Sequence, residues 1–227
     1  MRAARRPRPY PPGVTLQLEP QAPPEEFAAG LVSLHEVLDG TTGELREGLS
    51  LSLVPAPRKM APWSVAVAAE VLRDDDDVAS GRFVVLHDPQ GQDGWRGCTR
   101  VVALVEAQVE AEMAADPALG EVGWSWLLEA LDERGARHTA AGGTVTRTVS
   151  QRFGAQRAGA PDRAEDSETE DSEVEVRASW TALPGPEGLQ LGAHLLAWCD
   201  LLASTAGLPP PGVTALRPVS GSARSPR

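Results

Sequence analysis

Apolar residues at every second position dominate the middle of this chain, in successive runs separated by turn-forming residues. Leu49, Leu51 and Leu53 alternate with Ser50 and Ser52, and Trp63, Val65, Val67, Ala69 and Val71 alternate with smaller or polar side chains. A period of two sends neighbouring side chains to opposite faces, so each run predicts a half-buried strand. Arg82 to His87 and Thr99 to Val109 are two further β-rich runs, joined by Asp88-Pro89-Gln90-Gly91-Gln92-Asp93-Gly94-Trp95-Arg96-Gly97. That connector is turn chemistry and predicts a hairpin with a long tip. Thr144 to Ser150 and Glu173 to Trp180 complete the set. In the last, Val174, Val176, Ala178 and Trp180 face one side, and Glu175, Arg177 and Ser179 the other.

Helical spacing appears in three places. Phe27, Leu31, Leu34 and Leu38 predict a first helix closed by Gly40. Asp116-Pro117 reads as a helix start, with Leu119, Val122, Trp126, Ala130 and Leu131 as its apolar stripe and Gly135 as its end. A last helix runs from about Glu187 to Ala206, with Leu191, Leu195, Trp198 and Leu202 inward, and Gly207 and Pro209 to stop it. Strands in adjacent pairs joined by turns imply an α+β fold. The expected form is a mainly antiparallel sheet of five or six strands with two or three helices packed on one face.

Charge and composition mark the boundaries. Residues 1–24 and 209–227 are rich in Pro, Arg, Ser and Gly without periodic apolar content, and predict disordered tails around a single domain at 25–208. Ala155 to Ser172 carries Glu165, Asp166, Glu168, Glu170 and Asp171 with no aromatic or branched aliphatic residue, and predicts a flexible acidic loop. Asp74 to Asp77 reads as a smaller loop of the same kind. The chain has no Ile or Asn and only one Lys, the bias of a GC-rich genome. Its net charge is −11, yet seven Arg and no acid lie in residues 1–12 and 213–227, leaving −18 on the rest. A body that acidic repels phosphate backbones, which argues against direct nucleic-acid binding. No apolar run approaches the roughly 20 residues that span a bilayer, which argues against a membrane. The early arginines are followed by Pro9-Tyr10-Pro11-Pro12-Gly13 rather than the apolar core of a signal peptide, and two cysteines make no disulfide framework. A cytoplasmic location is expected.

No chemical signature stands out. Ser125 lacks the flanking glycines of a nucleophile elbow, since position 127 is Leu. Gly142-Gly143-Thr144 lacks the Lys of a phosphate loop and reads as a turn feeding a strand. Cys98 and Cys199 form no CxxC, and His194 and Cys199 lie about 140 degrees apart around a helix, poor for a shared metal. The acidic runs lack EF-hand spacing. No metal and no cofactor are expected. His87-Asp88-Pro89, at a strand end, holds the best titratable candidate. It reads either as a turn cap beside a packed histidine or as a site joined by Arg96, His138 and Arg147 if the hairpin tip folds over the sheet.

Six Trp against three Phe and one Tyr concentrate the aromatic surface in one residue type. Trp126, Trp180 and Trp198 fall on apolar faces and are expected in the core. Trp124 is offset from Trp126 by about 200 degrees on its helix, and Trp95 sits in the Gly-rich hairpin tip, so both are candidates for a binding surface.

Several segments together resemble a known group. Met60-Ala61-Pro62-Trp63, Leu86-His87-Asp88-Pro89, Met113-Ala114-Ala115-Asp116-Pro117, Gly123-Trp124-Ser125-Trp126, Gly142 to Thr148 and Trp198-Cys199-Asp200-Leu201-Leu202 are similar to the actinobacterial domain of unknown function family 3000. The likeness covers roughly residues 25–212. It implies no activity, cofactor or catalytic residue. The expected function is a non-enzymatic adaptor or regulatory module that binds a protein partner through Trp95 and Trp124. The alternative is a small-ligand binder or enzyme with a pocket near His87, Asp88, Trp124 and Arg147.

Overall fold

A single helix, covered on almost every side, organises the structure. The computed structural model describes residues 22–73, 76–151 and 170–209. The sheet holds β1 (Leu49–Val54), β2 (Trp63–Arg73), β3 (Asp76–His87), β4 (Thr99–Val109), β5 (His138–Gln151) and β6 (Glu170–Ala182). Every pairing is antiparallel, in the order β1-β2-β3-β4-β6-β5. Four helices accompany it: α1 (Glu25–Leu38), the short α2 (Ala111–Ala115), α3 (Leu119–Glu133) and α4 (Leu191–Thr205). The fold is α+β, and α2 is a helix the periodicity did not predict.

One sheet face is the core. On β4 the odd residues Val101, Ala103, Val105 and Ala107 are buried, and they pair with Trp180, Ala178, Val176 and Val174 of β6. α4 lies on this face between α1 and α3, and 13 of its 15 residues are buried, which suits a helix apolar nearly all round. Trp198 reaches the sheet because position 81 is Gly: a Cβ there would stand 2.7 Å from the indole. The α1–α4 crossing is equally tight. A Cβ on Gly192 would stand 2.5 Å from the Ser33 carbonyl oxygen. Ser33 Oγ also accepts the Gly192 N–H at 3.0 Å, so α1 caps the first turn of α4 from outside.

The polar side of α4 is closed by charge. Asp200, 8% exposed, accepts from Arg134 Nε at 2.6 Å. Its other oxygen lies 3.2 Å from Arg46 Nε, a charge contact without hydrogen-bond alignment. Arg134 also reaches Glu44 at 2.8 Å. The hydrogen bond to Asp200, ahead of every other influence, raises the Arg134 pKa, while burial pushes the neighbouring Cys199 thiol up.

Several local expectations are corrected. β3 begins at Asp76, paired with Arg73, so Asp76 and Asp77 are strand rather than loop. β5 begins at His138, and Gly142-Gly143 lie inside it beside a register shift between Thr139 and Gly142, not in a turn before it. Asp116 Oδ1 accepts the Ala118 N–H at 2.8 Å ahead of α3, which starts only at Leu119. The stripe of α3 is rotated: Leu119, Gly123, Leu127, Ala130 and Leu131 are buried, whereas Val122 is 39% exposed. Gly123 faces Val145, so the small residue takes the sheet side. Trp126, expected in the core, is therefore half-buried beside it, as is Trp124. Ser172, assigned to the acidic loop, is buried in β6. Of the expected tails at 1–24 and 209–227 all but residues 22–24 and 209 lie outside the described residues, as does most of that loop.

Replacing Gly192 by Ala drives a methyl into the α1 backbone. The expected loss is about 1–3 kcal/mol, read as a fall in Tm of several degrees by calorimetry. A Tm within a degree of wild type contradicts the tight crossing.

Candidate functional site

His87 closes β3 on the core face. Its Nδ1 lies 2.8 Å from Thr99 Oγ1, and its ring stacks on Phe27 of α1 with centroids 4.7 Å apart and planes 13° apart. Trp63 tilts against it at 6.1 Å. The residue is 3% exposed and its Nε2 has no hydrogen-bond partner among the described residues. Burial lowers its pKa, against the opposing pull of Glu26 and Asp88. The Asp88 carboxylate is occupied by the turn: Oδ1 accepts the Gln90 N–H at 3.0 Å and Oδ2 faces Gln92 Nε2 at 3.3 Å.

Trp95 occupies the other sheet face. The hairpin tip folds back, and the Thr181 hydroxyl donates to the Trp95 carbonyl. A Cβ at Gly97 would stand 2.7 Å from Thr181 Cγ2, so the tip sits close and Trp95 is half-buried. Beside it Arg100 donates to Ala140 O at 3.0 Å, Thr181 Oγ1 at 3.1 Å and Ser179 Oγ at 2.6 Å. Burial lowers the Arg100 pKa.

Trp124 and Arg147 lie elsewhere. A Cβ on Gly143 would stand 2.9 Å from Trp124 Cζ3, so the indole covers the bare backbone of β5. Arg147, farther along the same strand, donates to Ala114 O at 3.1 Å and to Asp116 O, tying β5 to the end of α2. The register separates the two groups. Arg147 is level with Val174, Ala107 and Ala79, whereas His87 is eight residues from Ala79 on β3, itself three strands away. At ~3.3 Å per residue that is roughly 25 Å along the sheet. The pocket expected from His87, Asp88, Trp124 and Arg147 is not formed.

The structure instead draws attention to the border at β5. It is an edge strand, paired among the described residues only with β6. Val149 is exposed on β5 itself, and Met113 and Val122 are exposed on α2 and α3, the two helices that reach this strand. None of the three aliphatic residues stood out in the sequence, because exposure of a single apolar side chain has no local signature.

His194, weighed in the sequence only as a poor metal-sharing partner of Cys199, was missed as a buried hydrogen-bonding group. It is 1% exposed on α4, and its Nδ1 accepts the Trp180 indole N–H at 3.0 Å. Burial, with a smaller contribution from His138, lowers its pKa to about 4. Among the described residues no three His, Cys, Asp or Glu side chains gather as metal ligands, and no helix is long and apolar enough to cross a membrane.

The sign of the His194 effect is fixed. The folded state keeps the imidazole neutral, so the unfolded state binds the extra proton between pH 6.5 and 4, and stability falls as pH drops through that window. The displacement corresponds to roughly 3 kcal/mol. His194→Gln, which can still accept from Trp180, is expected to flatten this part of the profile in urea unfolding at stepped pH. An unchanged slope contradicts the assignment.

Comparison with curated proteins and with solved structures gave no match. The family described as protein of unknown function (DUF3000) matches residues 23–214, a span that holds the whole sheet and all four helices, and the chain belongs to that family.

Proposed function

We propose that the protein is a non-enzymatic binding module, an adaptor or regulator that receives an extended segment of a protein partner along β5. The observation that carries it is the edge of β5, paired among the described residues only with β6, with Val149 exposed on the strand and Met113 and Val122 exposed on the helices that reach it. An edge strand offers a row of unused N–H and C=O groups, and an added strand is read through every second side chain. On one face the incoming side chains would meet Val149 and the α2–α3 border. On the other they would meet Thr144, Thr146 and Thr148, which alternate with Val145, Arg147 and Val149 along β5.

The chemistry of the segment follows from the charge around it. Glu112 on α2 and Glu121 on α3 are exposed and take part in no ion pair among the described residues, on a chain of net charge −11. A net-basic segment with apolar residues at alternate positions is the complementary occupant, favoured in encounter as well as in register. The same charge favours a protein partner over a nucleic acid. Free Cys98 and Cys199 accord with action in the reducing cytoplasm.

Charged residues on an edge discourage strand addition. Val149→Lys and Met113→Lys together are expected to weaken partner capture from native lysate by about tenfold or more, with Tm kept within a few degrees, because both side chains are exposed. Capture that is undiminished in the double variant, or no specific capture by the wild type across several salt concentrations, overturns the proposal.

A further inference from the structure

A cleft of about 220 Å³ opens over His194, away from the β5 border. One part of its lining comes from the turn after α3, with Gly135 and Arg137, and the other from the connection between β6 and α4, with Leu183, Gly185 and Glu187. That connection is held in shape by its own backbone. Gly185 and Gly188 exchange hydrogen bonds of 2.8 and 3.1 Å, and Gly188 adopts φ +88°, where only glycine sits without strain. The Leu183 N–H donates to the Arg137 carbonyl at 2.8 Å, joining the two segments. The cleft is thus built on fixed backbone, with room for several water-sized groups at roughly 30 Å³ each.

Its polar groups are complementary to one another without being joined. His194, almost wholly buried, accepts at Nδ1 from Trp180, so the neutral ring carries its proton on Nε2 and is a donor there. Arg137 donates from Nη1 to the Pro184 carbonyl at 2.9 Å, which orients the guanidinium. Among the described residues Arg137 has no carboxylate within ion-pair distance, and Glu187 has no cation. A cation and an anion therefore line one small cleft without meeting, beside apolar Leu183 and Pro186.

We infer that this cleft binds a small zwitterion of the amino-acid type, its carboxylate toward Arg137 and its ammonium toward Glu187, with a short apolar side chain against Leu183 and Pro186. A guanidinium fork matches a carboxylate through two parallel hydrogen bonds, and a carboxylate matches an ammonium as a point charge. Binding here involves no part of the β5 border, so each proposal stands or falls without the other.

The test uses the full chain labelled with nitrogen-15 and three probes: L-alanine, acetate and methylammonium. The Trp180 indole N–H, assigned through Trp180→Phe, and the Gly185 and Gly188 amides report on the cleft. L-alanine is expected to shift these resonances saturably, and acetate and methylammonium to bind about tenfold or more weaker. Arg137→Gln and Glu187→Gln, both at exposed positions, are each expected to weaken L-alanine by about tenfold, with Tm checked for each variant. No saturable shift with L-alanine, an equal response to all three probes, or shifts that survive both substitutions overturns the assignment.

Discussion

Everything in this fold hangs on how closely α4 approaches its neighbours. Trp198 rests on the backbone of β3 where Gly81 leaves no Cβ, and Gly192 lets α1 cross at backbone contact. Close approach fixes angle and register together, since a helix pressed against backbone cannot slide as one resting on long side chains can. The polar residue that α4 must carry into this environment, Asp200, is held by Arg134 and Arg46, brought from the end of α3 and the segment after α1. Burying a carboxylate without such partners costs several kcal/mol, so the ion cluster and the glycine contacts depend on one another.

The same layering sorts the molecule into a core-facing side and two kinds of border. Helices cover one face of the sheet and leave β1 and β5 as free edges among the described residues. At β5 the covering is incomplete: the five-residue α2 and the start of α3 reach the strand but leave Val149 and Met113 open. At the His87 end it is complete, with Phe27 and Trp63 closing over the imidazole. A protein of this size that gathers no cluster of metal ligands among its described residues still has surfaces at which chemistry can be read. Those are the edge strand and the cleft over His194.

How much of this the sequence disclosed depends on the range of the interaction. Alternation in Trp63 to Val71 and in Val174 to Trp180 placed those strands and their buried faces, because period two is local. The largely apolar run from Leu191 to Thr205 held the position of α4, though a stripe drawn at 3.6 spacing hides nearly complete burial. β5 was harder. Gly142, Gly143 and its threonines imitate a turn, and Gly143 belongs in that strand because a Cβ there would meet the Arg177 carbonyl of β6 as well as the Trp124 indole. The order β4-β6-β5 and the separation of His87 from Arg147 are properties of register across several strands, for which spacing along the chain has no signal. Trp126 failed for a similar reason: Gly123 turned the helix so that a small residue, not a large one, faced Val145.

The measurement that bears most directly on the edge-strand account is amide hydrogen exchange along β5, compared between the free protein and the protein held by its captured partner. Strand addition predicts that amides facing away from β6 slow at alternate positions between Gly142 and Ser150, while those bonded to β6 change little. Protection gathered instead around His87, Trp63 and the hairpin tip, with β5 unchanged, would contradict it.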